Sequence, residues 1–74
     1  MRTLDQLLPA DCGVVAALCG EGLVQQRLLE MGMVEGSHVE VLRLAPLGDP
    51  MEVRIQGYHL SLRKAEAALV QLEE

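Results

Sequence analysis

The sequence predicts a mainly β fold, a small barrel of about five short strands with one amphipathic α-helix inserted after the first strand and short helical turns. Apolar and polar residues alternate in several short runs, which is the period of a half-buried strand. Only one run has the helical period, and glycine or proline separates the runs. Because 74 residues suffice for one small domain, we expect residues 1–74 to form it. An SH3-like barrel is the preferred arrangement and an OB-like barrel the alternative, since closing a sheet removes its exposed edges.

The chain is expected to begin with a short helical turn. Residues 3–8 form this turn, which ends before Pro9 because a proline disfavours the helical conformation of the residue before it. Residues 11–13 then turn the chain into a first strand, Val14 to Leu18.

The clearest local signal is the amphipathic helix that starts after a glycine pair. Val24, Leu28 and Met31 fall at positions i, i+4 and i+7, so we expect them on one inward face. Gly32 follows where a left-handed C-terminal cap belongs, which would fold Met33 back onto Leu28.

Four more strands are predicted in the second half of the chain, at residues 38–44, 51–55, 58–62 and 69–72, with a helical turn at 64–68. The residues expected to point inward from the two middle runs are Met51, Val53, Ile55, Tyr58, Leu60 and Leu62.

Two tight connections and one irregularity are also predicted. Glu35-Gly36 and Gln56-Gly57 are turns. Leu42 and Leu44 break the alternation of their run, which favours a β-bulge or a strand covered on both faces.

Composition and charge narrow the function classes. The formal net charge is −5, and Arg63-Lys64 is the only basic cluster, which argues against a nucleic-acid partner. Tyr58 is the only aromatic residue, so the chain lacks stacking platforms for bases. The start of the chain has no apolar signal core and no run is long enough to span a membrane, so we expect a cytoplasmic protein without membrane insertion. Strand edges and a thin core leave a homo-oligomer open.

The cysteines, histidines and glycines do not form a catalytic or metal-binding pattern. Cys12 and Cys19 are seven positions apart, which in a strand points them to opposite faces, and we expect free thiols. His38 and His59 fall on the polar sides of their strands, and no spacing typical of a metal motif surrounds them. There is no glycine-rich phosphate loop. We expect a binding module rather than an enzyme, with no cofactor and no metal site.

The stretch from Ala45 to Pro50 is the unusual feature of the chain. Its two prolines restrict the backbone, Gly48 permits a conformation closed to other residues, and Asp49 can accept hydrogen bonds from nearby amides. These properties suit a rigid hairpin loop that sets strand register, but they do not explain Leu47 at its tip. We therefore keep two interpretations open, register alone and register together with contact to a partner.

Several segments in order resemble a known family. "RLLEMGMVEGSHVEV" followed by "APLGDPMEVRIQGYHLSLRKAEA" resembles FeoA, the small cytoplasmic protein of the bacterial ferrous iron transport system. The resemblance runs from Leu4 to Leu72, and Glu35 stands where the family often has proline. It implies an SH3-like barrel, also found at the C-terminus of repressors of the diphtheria toxin repressor type. It further implies association with FeoB, the membrane Fe(II) transporter that carries a cytoplasmic GTPase domain.

The working hypothesis is an accessory protein that binds FeoB at the cytoplasmic face and modulates Fe(II) uptake through protein–protein contacts. The expected partner-binding residues are Pro46, Leu47, Gly48, Asp49, Pro50 and Arg27. The expected structural residues are Gly32, Gly36, Gly57, Arg63 and Glu66, the last two as a local i, i+3 ion pair.

Two alternatives stay open at this point. A metal-sensing or effector-binding regulatory domain would need His38 and His59 to converge with Glu40 or Asp49. A modulator of FeoB GTP hydrolysis would need an arginine, Arg27 or Arg63, to enter a nucleotide site.

Overall fold

Five strands and two short helices make up the regular structure of residues 2–73, which are the residues described by this computed structural model. A 3₁₀ turn, Leu4–Gln6, precedes them. The elements in chain order are β1 (Cys12–Leu18), α1 (Leu23–Glu30), β2 (His38–Leu44), β3 (Met51–Ile55), β4 (Tyr58–Leu62), α2 (Lys64–Ala67) and β5 (Val70–Leu72). The mainly β fold class is confirmed. The first and last strands begin at Cys12 and Val70 rather than at the predicted Val14 and Leu69.

The strands form one antiparallel sheet in the order β4-β3-β2-β1-β5. In the part of the chain that is described, β4 and β5 are not paired, so the expectation of a sheet closed by hydrogen bonds is corrected. The outer edge of β5 is occupied by the start of the chain, through the Thr3–Gln71 bridge and a hydrogen bond from the Leu72 N–H to the Arg2 carbonyl.

Helix α1 is connected to the residues on both sides of β4 in the sequence. Arg27 near its end contacts Glu66 in α2, which follows β4. Past the other end of β4, the Gln56 side chain donates a hydrogen bond to the Gly32 carbonyl at 3.4 Å. Leu28, between these two contacts, is fully buried in the core. The helix therefore supplies apolar cover where strand pairing stops.

The core is aliphatic and is drawn from every strand and both helices. Its buried apolar residues are Leu4, Leu7, Val15, Leu28, Met33, Val39, Val41, Met51, Val53, Ile55, Leu62, Ala67, Val70 and Leu72. Each fully buried side chain of this size contributes about 1.5–3 kcal/mol relative to exposure. The alternation read in β3, with Met51, Val53 and Ile55 inward, is confirmed.

Irregular backbone occurs where the sequence predicts it. The β2–β3 register shifts between Val41 and Arg43, which agrees with a bulge, one of the two alternatives predicted from Leu42 and Leu44. At the end of α1, Gly32 has φ +99°, and the N–H groups of Gly32 and Met33 donate to the Leu29 and Leu28 carbonyls, both at 3.0 Å. This pair of bonds is a Schellman cap, as the glycine predicts.

Two predicted inward positions are wrong. Val24 is 43% exposed because it belongs to the first turn of α1, while only Leu28 of this helix is buried. Tyr58 is 69% exposed because it is the first residue of β4, directly after the two-residue turn that joins β3 to β4. Alternation correctly assigned Leu62 to the core but could not locate the limit of the core along the strand.

No helix among residues 2–73 is long and apolar enough to cross a membrane.

Candidate partner-binding surface

The β2–β3 loop is held closed by its own backbone. The Gly48 N–H donates to the Ala45 carbonyl at 2.7 Å, and the Ala45 N–H donates to the Pro50 carbonyl at 3.0 Å. Gly48 has φ +85°, a left-handed conformation that other residues rarely adopt. Leu47 at the tip is 96% exposed. The loop therefore presents an apolar side chain that has no packing partner within the described chain.

A second anchor ties this loop to α2. Asp49 Oδ1 accepts a hydrogen bond from the Lys64 backbone N–H at 3.0 Å. That N–H is at the start of α2 and has no partner within the helix, so the carboxylate acts as its cap. We expected Asp49 to bond to nearby amides, but the amide lies 15 positions away in the chain. The Lys64 ammonium lies over the loop, since a Cβ at Gly48 would be 3.8 Å from Nζ.

Helix α1 is attached to α2 by an ion pair. Arg27 Nη1 lies 3.1 Å from Glu66 Oε2. The second carboxylate oxygen, Oε1, accepts the Arg63 backbone N–H at 3.0 Å. The predicted side-chain pair of Arg63 with Glu66 is therefore replaced by the Arg27 pair. Spacing along α2 suggested a local partner, but the packing of α1 supplies a distant one.

These contacts join the two parts of the predicted site through α2. The β2–β3 loop and α1 contact neighbouring residues of one short helix, at Lys64 and Glu66. Pro46 is exposed beside Leu47, and Pro50 closes the base of the loop. We call the resulting face the α2-centred surface, and its exposed members are Leu23, Val24, Arg27, Leu47, Arg63 and Lys64.

Sequence reasoning missed Leu23 and misplaced Val24 within this surface. Leu23 is 83% exposed and is the first residue of α1. Leu23 does not share the face of the helix that carries the buried Leu28. This position in the sequence could have identified it, because a leucine outside the apolar face must contact solvent or a partner.

The remaining glycines that we assigned to structure lie in turns. Gly36 has φ +89° and donates its N–H to the Val15 carbonyl at 2.8 Å. Gly57 has φ +83° and follows Gln56, whose φ is +51°. Two consecutive positive φ values between the paired residues Ile55 and Tyr58 make a two-residue hairpin turn of type I′.

The histidines and cysteines are not members of the α2-centred surface. His38 is opposite Val14, and His59 is opposite Arg54, which is ion-paired with Glu40. Between residues 2 and 73, no three His, Cys, Asp or Glu side chains are grouped so that they could hold a metal ion. The convergence that a metal-sensing role would need is not found there. Both cysteines are free thiols, one exposed and one partly buried.

Comparison with known proteins identifies the family. A family model described as the FeoA domain matches residues 2–74. The chain belongs to the FeoA family. It is also similar to a Porphyromonas gingivalis Fe(2+) transport protein A/Fe(2+) transporter FeoB fusion protein, with 40% identity over 70 residues. That match covers 95% of this chain and 8% of the relative, so the chain spans a small part of the fusion protein.

Solved structures of FeoA proteins have the same architecture. Iron(II) transport protein A from Clostridium thermocellum is 35% identical with a TM-score of 0.92, over 97% of this chain and 44% of that one. Stenotrophomonas maltophilia FeoA, solved with zinc and described as a prokaryotic SH3 domain protein, is 27% identical with a TM-score of 0.87. The match covers 99% of this chain and 91% of the S. maltophilia protein, and it supports the predicted SH3-like fold.

The predicted likeness to metal-dependent repressors is confirmed at the level of the fold. A manganese-dependent transcriptional repressor solved with manganese superposes with a TM-score of 0.88 at 20% identity. The match covers 96% of this chain and 35% of the repressor.

Proposed function

We propose that this FeoA-family chain acts as one domain, residues 1–74, and is a cytoplasmic accessory protein of bacterial ferrous iron uptake. It binds the FeoB transporter from the cytoplasmic side and modulates it through protein–protein contacts. The observation that carries this proposal is the P. gingivalis relative, in which transport protein A and FeoB are named as one fusion protein. Fusion keeps two components together, which favours a physical association of the separate chains.

Leu47 is the proposed centre of the contact. Its exposed side chain would contribute about 1.5–3 kcal/mol on entering a partner pocket. The Gly48–Ala45 and Asp49–Lys64 hydrogen bonds hold the loop in shape before binding. A loop that is already ordered loses less conformational entropy on association, so more of that energy appears as affinity.

The proposed role is binding rather than catalysis. The most distinctive feature of the surface is an exposed leucine on an anchored loop, which suits a contact with another protein. Arg27, the candidate for insertion into a nucleotide site, is engaged with Glu66, so a role in GTP hydrolysis would require that ion pair to break.

The test is association with full-length FeoB of the same organism in detergent or nanodiscs. We expect Leu47→Asp to weaken binding about 10-fold or more, the loss that corresponds to about 1.5–3 kcal/mol of apolar contact. Leu8→Asp is the matched control, because Leu8 is an exposed leucine in the connection before β1 and is not a member of the α2-centred surface. Circular dichroism verifies that both variants are folded.

Two results would count against the proposal. If wild type does not associate with FeoB, the proposed function is wrong. If Leu47→Asp and Leu8→Asp both bind as wild type does, FeoB binding stands but the loop is not the contact.

A further inference from the structure

Basic residues gather at the α2-centred surface of an otherwise acidic chain. The chain has six Lys and Arg residues against 11 Asp and Glu, and three of the six are Arg27, Arg63 and Lys64. All three are exposed. Three basic and two acidic residues (Asp49 and Glu66) give this surface a net charge of +1, whereas three basic and nine acidic residues give the rest of the chain a net charge of −6.

The carboxylates of this face are already engaged. Asp49 accepts the Lys64 backbone N–H, and Glu66 accepts the Arg63 N–H and pairs with Arg27. Both carboxylates are oriented by backbone groups, whereas the Lys64 ammonium extends over Gly48 beside the exposed Leu47. A cation thus lies directly next to the most exposed apolar side chain of the surface.

Apolar side chains complete the arrangement. Leu47 is in the loop that is anchored at Lys64, and Leu23 and Val24 are within one helical turn of Arg27, which pairs with Glu66. A partner that covers this face must accommodate leucine side chains and neutralise exposed cations at the same time. A basic segment would place like charges against Lys64 and Arg63, which is unfavourable.

We propose that the α2-centred surface docks an acidic, apolar segment of its protein partner, one whose carboxylates face Lys64 and Arg63 while its apolar residues cover Leu47, Leu23 and Val24. This inference rests on the proposed function, and it specifies the chemistry of the partner segment. An acidic segment is repelled by the rest of this chain, whose charge is negative, so the charges direct it to one face.

The first experiment measures FeoB binding at low and at high salt with matched charge variants. Lys64→Glu is expected to weaken binding about 10-fold and to reduce its salt dependence, with Lys64→Gln intermediate. His38→Glu lowers the net charge by the same amount as Lys64→Gln, but at the end of β2 away from the β2–β3 loop, and is expected to stay within about twofold of wild type. The Asp49 bond uses the backbone of Lys64, so these side-chain changes leave the cap in place.

The second experiment identifies the segment. A photo-crosslinking amino acid replaces Leu47, whose exposure makes the change harmless to the fold, and the crosslinked FeoB peptide is sequenced. We expect a segment that is net negative and contains large apolar residues.

The outcomes distinguish a failure of the acidic-segment inference from a failure of the proposed FeoB association. Binding that is unaffected by Lys64→Glu, or a crosslinked segment that is net positive, overturns the acidic-segment inference while FeoB association stands. If FeoB binds but no crosslink forms from position 47, Leu47 is not part of the contact, and the acidic-segment inference is overturned. Absence of association in wild type at every salt concentration is the separate failure of the proposed function.

Discussion

The two connections on either side of β3 differ in length, in their hydrogen bonds and in the exposure of their side chains. The β3–β4 connection uses two residues, Gln56 and Gly57, and its Gln56 side chain donates to the Ser37 hydroxyl at 2.9 Å. The β2–β3 connection uses six residues, from Ala45 to Pro50, and raises Leu47 into solvent.

The difference shows what a longer connection adds. Both pairs of strands are antiparallel neighbours, so a two-residue turn would have been enough for either. The short turn is fixed by the hydrogen bond from the Gln56 side chain to Ser37, which is buried. The long loop has its own closing hydrogen bonds and an anchor on α2, yet its tip contributes nothing to the core. The length of this ordered loop is consistent with the proposed contact of Leu47 with a partner.

The largest expected effect is a loss of folding stability on changing the β3–β4 turn, with no comparable loss on changing the β2–β3 loop. Gly57→Val forces a β-branched residue into φ +83° and should lower the free energy of unfolding by about 1–3 kcal/mol. Nothing lies within 4 Å of a Cβ at this position, so the loss reports backbone conformation alone. Leu47→Val in the other connection should change stability by less than about 0.5 kcal/mol. Urea unfolding measures both.

Gly57→Asn is the control for this comparison, because asparagine tolerates the left-handed region and should lose less than valine. The comparison breaks down if Leu47→Val destabilises the protein as much as Gly57→Val does, since Leu47 would then be part of the folded core in solution.

A smaller effect is expected at the anchor of the long loop. Asp49→Ala removes the acceptor for the Lys64 N–H and should lower the free energy of unfolding by about 0.5–1 kcal/mol, the usual size for an exposed cap. Asp49→Asn keeps an oxygen at the Oδ1 position and should retain most of the stability. Equal losses for Ala and Asn would show that the negative charge, rather than the hydrogen bond, matters. Urea midpoints at constant m-value distinguish the two.

The smallest expected effect concerns the short turn. A double-mutant cycle with Gln56→Asn and Ser37→Ala should give a coupling energy of about 0.5–1 kcal/mol, because the two side chains are hydrogen-bonded. Asparagine keeps the left-handed preference needed at φ +51° but is too short to reach Ser37. Thermal or urea unfolding of the four proteins provides the cycle. Additive losses would mean that the turn is held by backbone conformation only.

Much of the fold was predictable from local patterns. The alternation in residues 38–44, 51–55 and 58–62 matches the bounds of β2, β3 and β4. The cap at Gly32 and the turn at Gln56-Gly57 followed from residue chemistry alone. The loop from Ala45 to Pro50 was selected as a candidate site because its leucine had no local explanation.

The sequence by itself thus determined the number of strands, the bounds of the three middle strands, the helix with its C-terminal cap and the aliphatic character of the core, since strand period, helix capping and turn chemistry act over a few neighbouring residues. Only the tertiary structure decided that the sheet stays open beside β4 and that Tyr58 and Val24 face solvent. It also decided that Asp49 and Arg27 both contact α2, at Lys64 and at Glu66. Those contacts join residues distant along the chain, and their partners are selected by the path of the packed backbone rather than by spacing in the sequence.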